Sequence, residues 1–250
     1  MRNILIIGYG EIGKSIHKLY EKYYDFKVWH IDNEVLKPNA FPSNIEVMHI
    51  CFGYTEKFSR YVIEYIEQFK PELTIIHSTI APLTTQIIYD NTKAEIVHSP
   101  IMGVHPKLTE SIQRFRKIIG PCTSGARDKT IKHFTELGID CRTFRKPEES
   151  EIAKLLSTSY YAWNIYYMQK VHDLCKEYNL DFEKVYTETN NIYNNGYREM
   201  GMLHVIRPVL KYMGPGIGGH CLYPNAIILE QNKMLKDIHE KILELPETSK

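Results

Sequence analysis

The chain has 250 residues, 43% of them hydrophobic and 24% charged, with a formal net charge of +1. This is an ordinary soluble composition, long enough for two modest domains or one large one, and its near-neutral balance gives no electrostatic case for nucleic acid or a membrane surface as partner. Five irregularly spaced cysteines without a CxxC pair signal neither a disulfide framework nor a zinc site, so no metal is expected. A core strand begins by Asn3, leaving no room for a signal peptide, and no apolar run reaches the length of a membrane span. The expectation is a reduced, cytoplasmic protein.

Ile4–Ile7 is a short apolar run that reads as a strand buried on both faces, followed by Gly8-Tyr-Gly10-Glu-Ile-Gly13. Helical spacing continues through Ile16, Leu19 and Tyr23, and a second strand, Phe26–Ile31, ends at Asp32, nineteen positions after Gly13. GxGxxG between a strand and a helix, with an acid at the end of the next strand, is a dinucleotide-binding pattern. Gly8 allows the tight turn, Gly10 lets a pyrophosphate approach, and Gly13 lets helix and strand pack closely. Glu11 and Ile12 open the helix whose N-terminus faces the phosphates. Asp32 would accept from the adenosine ribose hydroxyls and repel a 2′-phosphate, so the expected cofactor is NAD rather than NADP.

The alternation continues with strands at 47–51, 73–77, 95–98, 117–119 and 139–144, and helices at 56–69, 82–90 and 124–137. Strands alternating with helices predict an α/β fold, a Rossmann-like doubly wound parallel sheet over residues 1–145. Ligands of such sheets bind at the carboxyl ends of the strands, which brings Phe52-Gly53, Ser78-Thr79 and Ser99-Pro100 to the crevice. From Pro147, with Glu148 and Glu149 in the first turn, apolar residues recur at helical spacing from 152 to 178. One helix of roughly thirty residues, about 45 Å long, is predicted, with Asn179 as its C-cap. It would anchor an all-α domain over 146–250. A helix of this length cannot bury its whole stripe in so small a domain, so a homodimer through helix 147–179 is expected. Within it, Lys154 lies one turn after Glu151, which by itself reads as an exposed ion pair. Shorter helices are predicted at 181–190 and 192–203 and a longer one at 226–243, before a frayed Pro-Glu-Thr-Ser-Lys end.

Gly214-Pro-Gly-Ile-Gly-Gly-His-Cys221 puts four glycines within six residues just ahead of a cysteine. Glycine permits close approach of backbone to a ligand and φ > 0. The bland alternative is a tight turn and a buried thiol. Together, the Rossmann unit, Glu151-Ile-Ala-Lys154-Leu on the long helix and the Gly-Gly-His-Cys221 loop resemble the UDP-glucose/GDP-mannose dehydrogenase family, most closely its UDP-N-acetylmannosamine dehydrogenase branch. The resemblance implies oxidation of a sugar alcohol, with two NAD consumed, through a cysteine-bound intermediate. By that resemblance Cys221 is the nucleophile, Lys154 the cation beside the reacting oxygen, and Thr79 the residue that orients a water, while Phe52 and Gly53 line the cofactor crevice.

The departures from the family pattern concern its proton-handling groups. Thr158 stands where the family has asparagine, Asn225 where it has aspartate, and Ile101 and His105 where it has glutamates. His105 or His220 is then the candidate base near neutral pH, against the plainer reading of surface histidines. Too few residues follow Cys221 to build the third, nucleotide-gripping domain that the resemblance implies. Two readings therefore stand: an NAD-dependent oxidoreductase acting on a sugar, possibly nucleotide-linked, or another small alcohol or aldehyde, and a non-catalytic NAD-binding sensor or scaffold.

Overall fold

The computed structural model describes residues 1–32, 41–103, 106–218 and 221–248. Two units divide it, Met1–Lys154 and Leu155–Lys250.

Strand β1 (Arg2–Ile7) is buried on both faces. Ile4 and Ile6 face a core shared with Leu19, Val97 and Phe134, while Leu5 and Ile7 face one shared with Met48, Phe58 and Ile76. The period of two thus feeds two cores from one strand, as a sheet covered on both sides requires. Around it run α1 (Glu11–Tyr20), β2 (Phe26–Ile31), β3 (Val47–Ile50), α2 (Phe58–Phe69), β4 (Leu73–Ile76), α3 (Thr84–Thr92) and β5 (Ile96–His98). They continue with α4 (Leu108–Arg114), β6 (Lys117–Pro121), α5 (Ser124–Glu136) and β7 (Cys141–Thr143). Among the described residues the sheet order is β2-β1-β3-β4-β5-β6-β7. β1 lies between β2 and β3, with Ile4 opposite both Val28 and Val47, so the chain leaves β1 in one direction and returns on its other side. That reversal opens a crevice at the carboxyl ends of β1 and β3.

The sheet corrects the expectation in one respect. β6 runs antiparallel to β5, with Val97 opposite Pro121 and His98 opposite Gly120, and β7 follows β6 in parallel. The intervening α4, where the sequence predicts only a loop, lets the chain re-enter reversed. The long helix α6 (Pro147–Glu177) ends close to the predicted point, with Asn179 at φ 51°. Its first two turns belong to the first unit, where Ser150 and Glu151 are fully buried. The units therefore divide at Lys154 and Leu155 rather than at 145 and 146.

In the second unit, the two helices predicted at 181–190 and 192–203 are one continuous run. A π-helical stretch, Glu183–Glu188, passes directly into α7 (Thr189–Glu199). The single helix predicted at 226–243 is two, α8 (Leu222–Gln231) and α9 (Lys236–Leu243), separated where Lys233 and Leu235 take positive φ. Ile217, Leu222, Ala226, Ile242 and Leu245 form their core around Ala162 of α6. The end read as frayed is held instead: β9 (Glu247–Thr248) pairs in parallel with β8 (Ile217–Gly218). Backbone pairing and the buried Leu245 outweigh the polar composition that suggested fraying. Among the described residues, no helix is long and apolar enough to cross a membrane.

Candidate functional site

The turn after β1 is built by glycines with two kinds of duty. Gly8 sits at φ 90°, and a Cβ there would lie 2.7 Å from the Phe52 backbone nitrogen. A Cβ on Gly13 would overlap the Gly8 carbonyl oxygen and crowd Ile6, so α1 can approach β1 only without a side chain at that point. At Gly10 and Gly53, by contrast, a Cβ would meet nothing within 4 Å. Those two glycines leave open space instead of filling a packing requirement.

Asp32, at the end of β2, accepts a hydrogen bond from the Tyr9 N–H (2.9 Å), which fixes the loop between Gly8 and Gly10. The Tyr9 ring stacks on His30 with centroids 3.9 Å apart, and its hydroxyl meets His17 Nδ1 at 2.5 Å. Gly10 is the N-cap of α1 and has no side chain with which to cap it. Glu11 and Ile12 follow in the first turn, whose N–H groups and dipole suit an anion. One strand over, the Phe52 carbonyl accepts from Ser78 Oγ (2.6 Å) while the Phe52 ring packs on Phe58. Thr79 follows β4, half-buried beside the buried Ser78. Gly8–Gly13, Asp32, Phe52-Gly53 and Thr79 thus share the carboxyl edge of β1 to β4.

The start of α6 closes the first unit. Glu151 is no exposed ion-pair partner, as its spacing from Lys154 suggested. Its carboxylate accepts from the backbone N–H groups of Leu83 (2.7 Å) and Thr85 (2.9 Å) and from Thr85 Oγ1 (2.6 Å). It caps α3 from another helix, because Leu83, the N-cap of α3, offers no side-chain acceptor. Burial pushes its carboxyl up to about 7, against the pull of the Thr85 and Leu83 donors. The sequence signal for this was faint: a Pro-Leu-Thr-Thr helix start with no Ser, Asp or Asn before it needs an acceptor from elsewhere. Lys154, half-buried, donates to the Ile101 carbonyl (2.9 Å).

Ser150 takes part in a second group that sequence reasoning missed. His98 Nδ1 meets Ser150 Oγ at 2.8 Å, and a Cβ on Gly120 would collide with that hydroxyl. Near it Tyr20, His49, His77 and His133 form a buried hydrogen-bonded chain that ends on the Ser99 carbonyl, where Lys117 also donates. In sequence they are scattered from residue 20 to residue 133, so no spacing could reveal them.

In the second unit, Cys221 is the N-cap of α8 and is exposed. It differs in this from the other four cysteines, of which Cys51 and Cys175 are buried and Cys122 and Cys141 half-buried. Burial pushes the Cys122 thiol up to about 12 and that of Cys141 to about 11. The bland expectation of a buried thiol at 221 is therefore corrected. The loop ahead of it turns through Gly214 (φ 107°) and Gly216 (φ 100°). Gln169 of α6 donates to the Gly216 carbonyl (2.5 Å), and the Ile217 N–H donates to the Pro246 carbonyl (3.0 Å). One turn into α8, Asn225 is buried, with its N–H on the Cys221 carbonyl (3.3 Å) and its side-chain amide donating to Thr158 Oγ1 (3.1 Å). Thr158 and Asn225, two of the four positions that depart from the family pattern, are thus bonded to each other. His105 and His220, the candidate bases, lie outside the described residues. Among the described residues, no group of three His, Cys, Asp or Glu side chains could hold a metal ion.

Residues 148–249 match the model of the UDP-glucose/GDP-mannose dehydrogenase family, central domain. The match covers the segment from the start of α6 to the end of β9. A UDP-N-acetyl-D-mannosamine dehydrogenase of Methanococcus vannielii is 26% identical over 166 residues, covering 64% of this chain and 35% of that protein. The chain therefore spans about a third of the length of the curated relatives it matches. Among solved structures, the UDP-D-ManNAc dehydrogenase of Pyrococcus horikoshii superposes with a TM-score of 0.72 at 17% identity, over 96% of this chain and 68% of that one. The 3-hydroxyisobutyrate dehydrogenase of Mycobacterium tuberculosis does so with a TM-score of 0.70 at 11% identity, over 98% and 92%. At these identities the structural likenesses establish the fold alone.

Proposed function

We propose that the chain is an NAD-dependent oxidoreductase of the UDP-sugar dehydrogenase type, working in the cytoplasm on a sugar or another small alcohol or aldehyde. The observation that carries the reading is Cys221: an exposed thiol at the end of a glycine loop, inside a segment that matches the central domain of a dehydrogenase family. The residues of the first unit fit a dinucleotide. Gly10 and Gly53 leave open space, α1 begins without a capping side chain, and Asp32 presents a carboxylate suited to ribose hydroxyls. NAD, when bound, supplies the hydride acceptor. Gly8, Gly10, Glu11, Ile12, Gly13 and Asp32 would hold its adenosine and pyrophosphate, and Phe52, Gly53 and Thr79 its remaining length.

The chain's own chemistry then follows. The Cys221 thiolate adds to the carbonyl carbon of an aldehyde, forming a C–S bond and placing negative charge on the former carbonyl oxygen. The Lys154 ammonium stabilises that oxyanion. Loss of hydride from the same carbon leaves a thioester, and a water oriented by Thr79 cleaves it, returning the thiol and releasing a carboxylate. Asn225 is a neutral amide bonded to Thr158, so proton transfer during hydrolysis falls to another group, with His105 the candidate. The same pairing favours the second reading, a non-catalytic NAD-binding sensor or scaffold. The position where the family has an aspartate holds a neutral amide instead, already bonded to Thr158.

NADH formation, followed by absorbance over a panel of nucleotide sugars, free and phosphorylated sugars, alcohols and aldehydes, tests the reading. Substrate-dependent NADH in the wild type, with the thioester-dependent second equivalent lost in Cys221→Ser, is the expected result. Tight NAD binding with silence across the panel would hand the case to the sensor.

A further inference from the structure

The buried chain in the first unit has a direction that its hydrogen bonds fix from one end. The Ser99 carbonyl can only accept, so His77 Nδ1, 2.8 Å away, carries a proton. A neutral His77 then accepts at Nε2 from His49 Nδ1 (2.9 Å), and His49 accepts at Nε2 from the Tyr20 hydroxyl (2.6 Å). The Tyr20 oxygen in turn accepts from His133 Nε2 (2.7 Å). That leaves His133 Nδ1 as a bare acceptor, and within this chain it is the ring nitrogen buried without a hydrogen-bond partner. The neutral forms are those that burial enforces: His49 and His77 are held well below the usual histidine range and His133 near 4. Every donor points toward Ser99.

At that end stands Lys117, the first residue of β6 and only 3% exposed. Its Nζ donates to the carbonyls of Ser99 (2.8 Å) and Pro100 (3.0 Å) and lies 5.5 Å from the Phe134 ring centroid. The next carbonyl, that of Ile101, accepts from Lys154. Two lysines therefore hold three consecutive carbonyls where β5 leaves the sheet. Pro100 has no N–H with which to tie this segment into a ladder.

We propose that Lys117 is a positioning residue: backed by His77, it fixes the Ser99 and Pro100 carbonyls and thereby the Ile101 carbonyl on which Lys154 is seated. The role in turnover rests on the reading of Lys154 as the oxyanion's cation. The placement itself does not. The titratable and charged groups facing Lys117 are His49 on β3, Cys51 after β3, His77 after β4, His98 on β5, Cys141 on β7 and Lys154 on α6. Burial first, with Lys154 adding a smaller repulsion, brings Lys117 down to about 7. Its charge therefore changes near neutral pH, and Lys154 loses a neighbouring positive charge when it does.

Trace acetylation of the intact protein, read by mass spectrometry at each lysine, tests this without substrate. Exposed Lys93 and Lys132 serve as internal references. In Lys117→Met the relative labelling rate of Lys154 should rise about threefold or more, the scale of one lost buried hydrogen bond. His77→Asn, whose amide can still donate to Ser99, should stay near the wild type, and His77→Leu should follow Lys117→Met. The wild-type profile for Lys154 should bend near neutral pH, and the bend should vanish in Lys117→Met. Unchanged labelling in Lys117→Met, a wild type without the bend, or reference lysines that move together with Lys154 would each overturn the proposal. A shift in Lys154 labelling alongside silence in the NADH assay supports the positioning and refutes the dehydrogenase reading alone.

Discussion

Gly10 and Gly13 stand three residues apart in one motif and should respond oppositely to the same added methyl. At Gly13 the methyl would be driven into the Gly8 carbonyl, and a backbone oxygen cannot step aside. Gly13→Ala should therefore cost about 2–3 kcal/mol, read as a lowered urea midpoint with unchanged slope. Gly10→Ala meets nothing in the protein, so its midpoint should stay within about 0.5 kcal/mol of wild type while NAD affinity falls severalfold in a fluorescence titration. Equal destabilisation by both would mean that the loop is only a tight turn. These roles were legible because the motif's spacing encodes backbone approach. Glu151 was misread because its partners, Leu83 and Thr85, are 68 and 66 residues away. Helical spacing names neighbours on one helix, whereas a buried cap is a tertiary fact.

Helix α6 carries two apolar stripes, and periodicity alone could not rank them. Leu155, Ala162, Met168 and Cys175 are buried, whereas Leu156, Tyr160, Trp163, Tyr167 and Leu174 are exposed, Tyr160 at 62% and Tyr167 at 58%. Leu156, Tyr160, Trp163 and Tyr167 step by four, three and four, the alternation of a helix-pairing seam, with Tyr161 exposed beside them. We propose that this face pairs with a second copy. Sedimentation should give a dimer for the wild type and a monomer for the double variant Tyr160→Glu, Tyr167→Glu, with helicity retained. A wild type that sediments as a monomer at micromolar concentration would end that proposal. Element existence was readable for most of the chain because buried strands and long helices leave strong patterns. The reversal of β6 was not, since a short apolar run carries no arrow. Its consequence is tangible: only because β6 is reversed does its first residue, Lys117, reach the end of β5 beyond His98.

For the molecule as a whole, four histidines buried in neutral form set the response to acid. His98 is held at about 3 and His133 at about 4, with His49 and His77 also well below the usual range, all chiefly by burial. Their folded values lie below the unfolded one, so the unfolded chain takes up protons first. The stability they contribute is whole above about pH 6.5 and drains as pH falls toward the folded values, by about 1.4 kcal/mol per pH unit for each group. Glu151 has the opposite sign: raised to about 7, it contributes stability that is lost as pH rises from about 4.5 through 7, but it is one group against four. The urea midpoint should therefore fall steeply from pH 7 to pH 5. A flat or rising midpoint over that interval would show that the histidines are not buried neutral.

The short β8–β9 pair gives the molecule an unexpected piece of wiring. By joining Ile217-Gly218 to Glu247-Thr248 it closes a ring of backbone around α8 and α9, with Cys221 just inside the clasp. Closing such a ring is entropically expensive, so the clasp and the helices it encloses must hold or yield together. Cys221, exposed three residues after Gly218, thus stands next to a clasp whose other strand is supplied by residues 247 and 248.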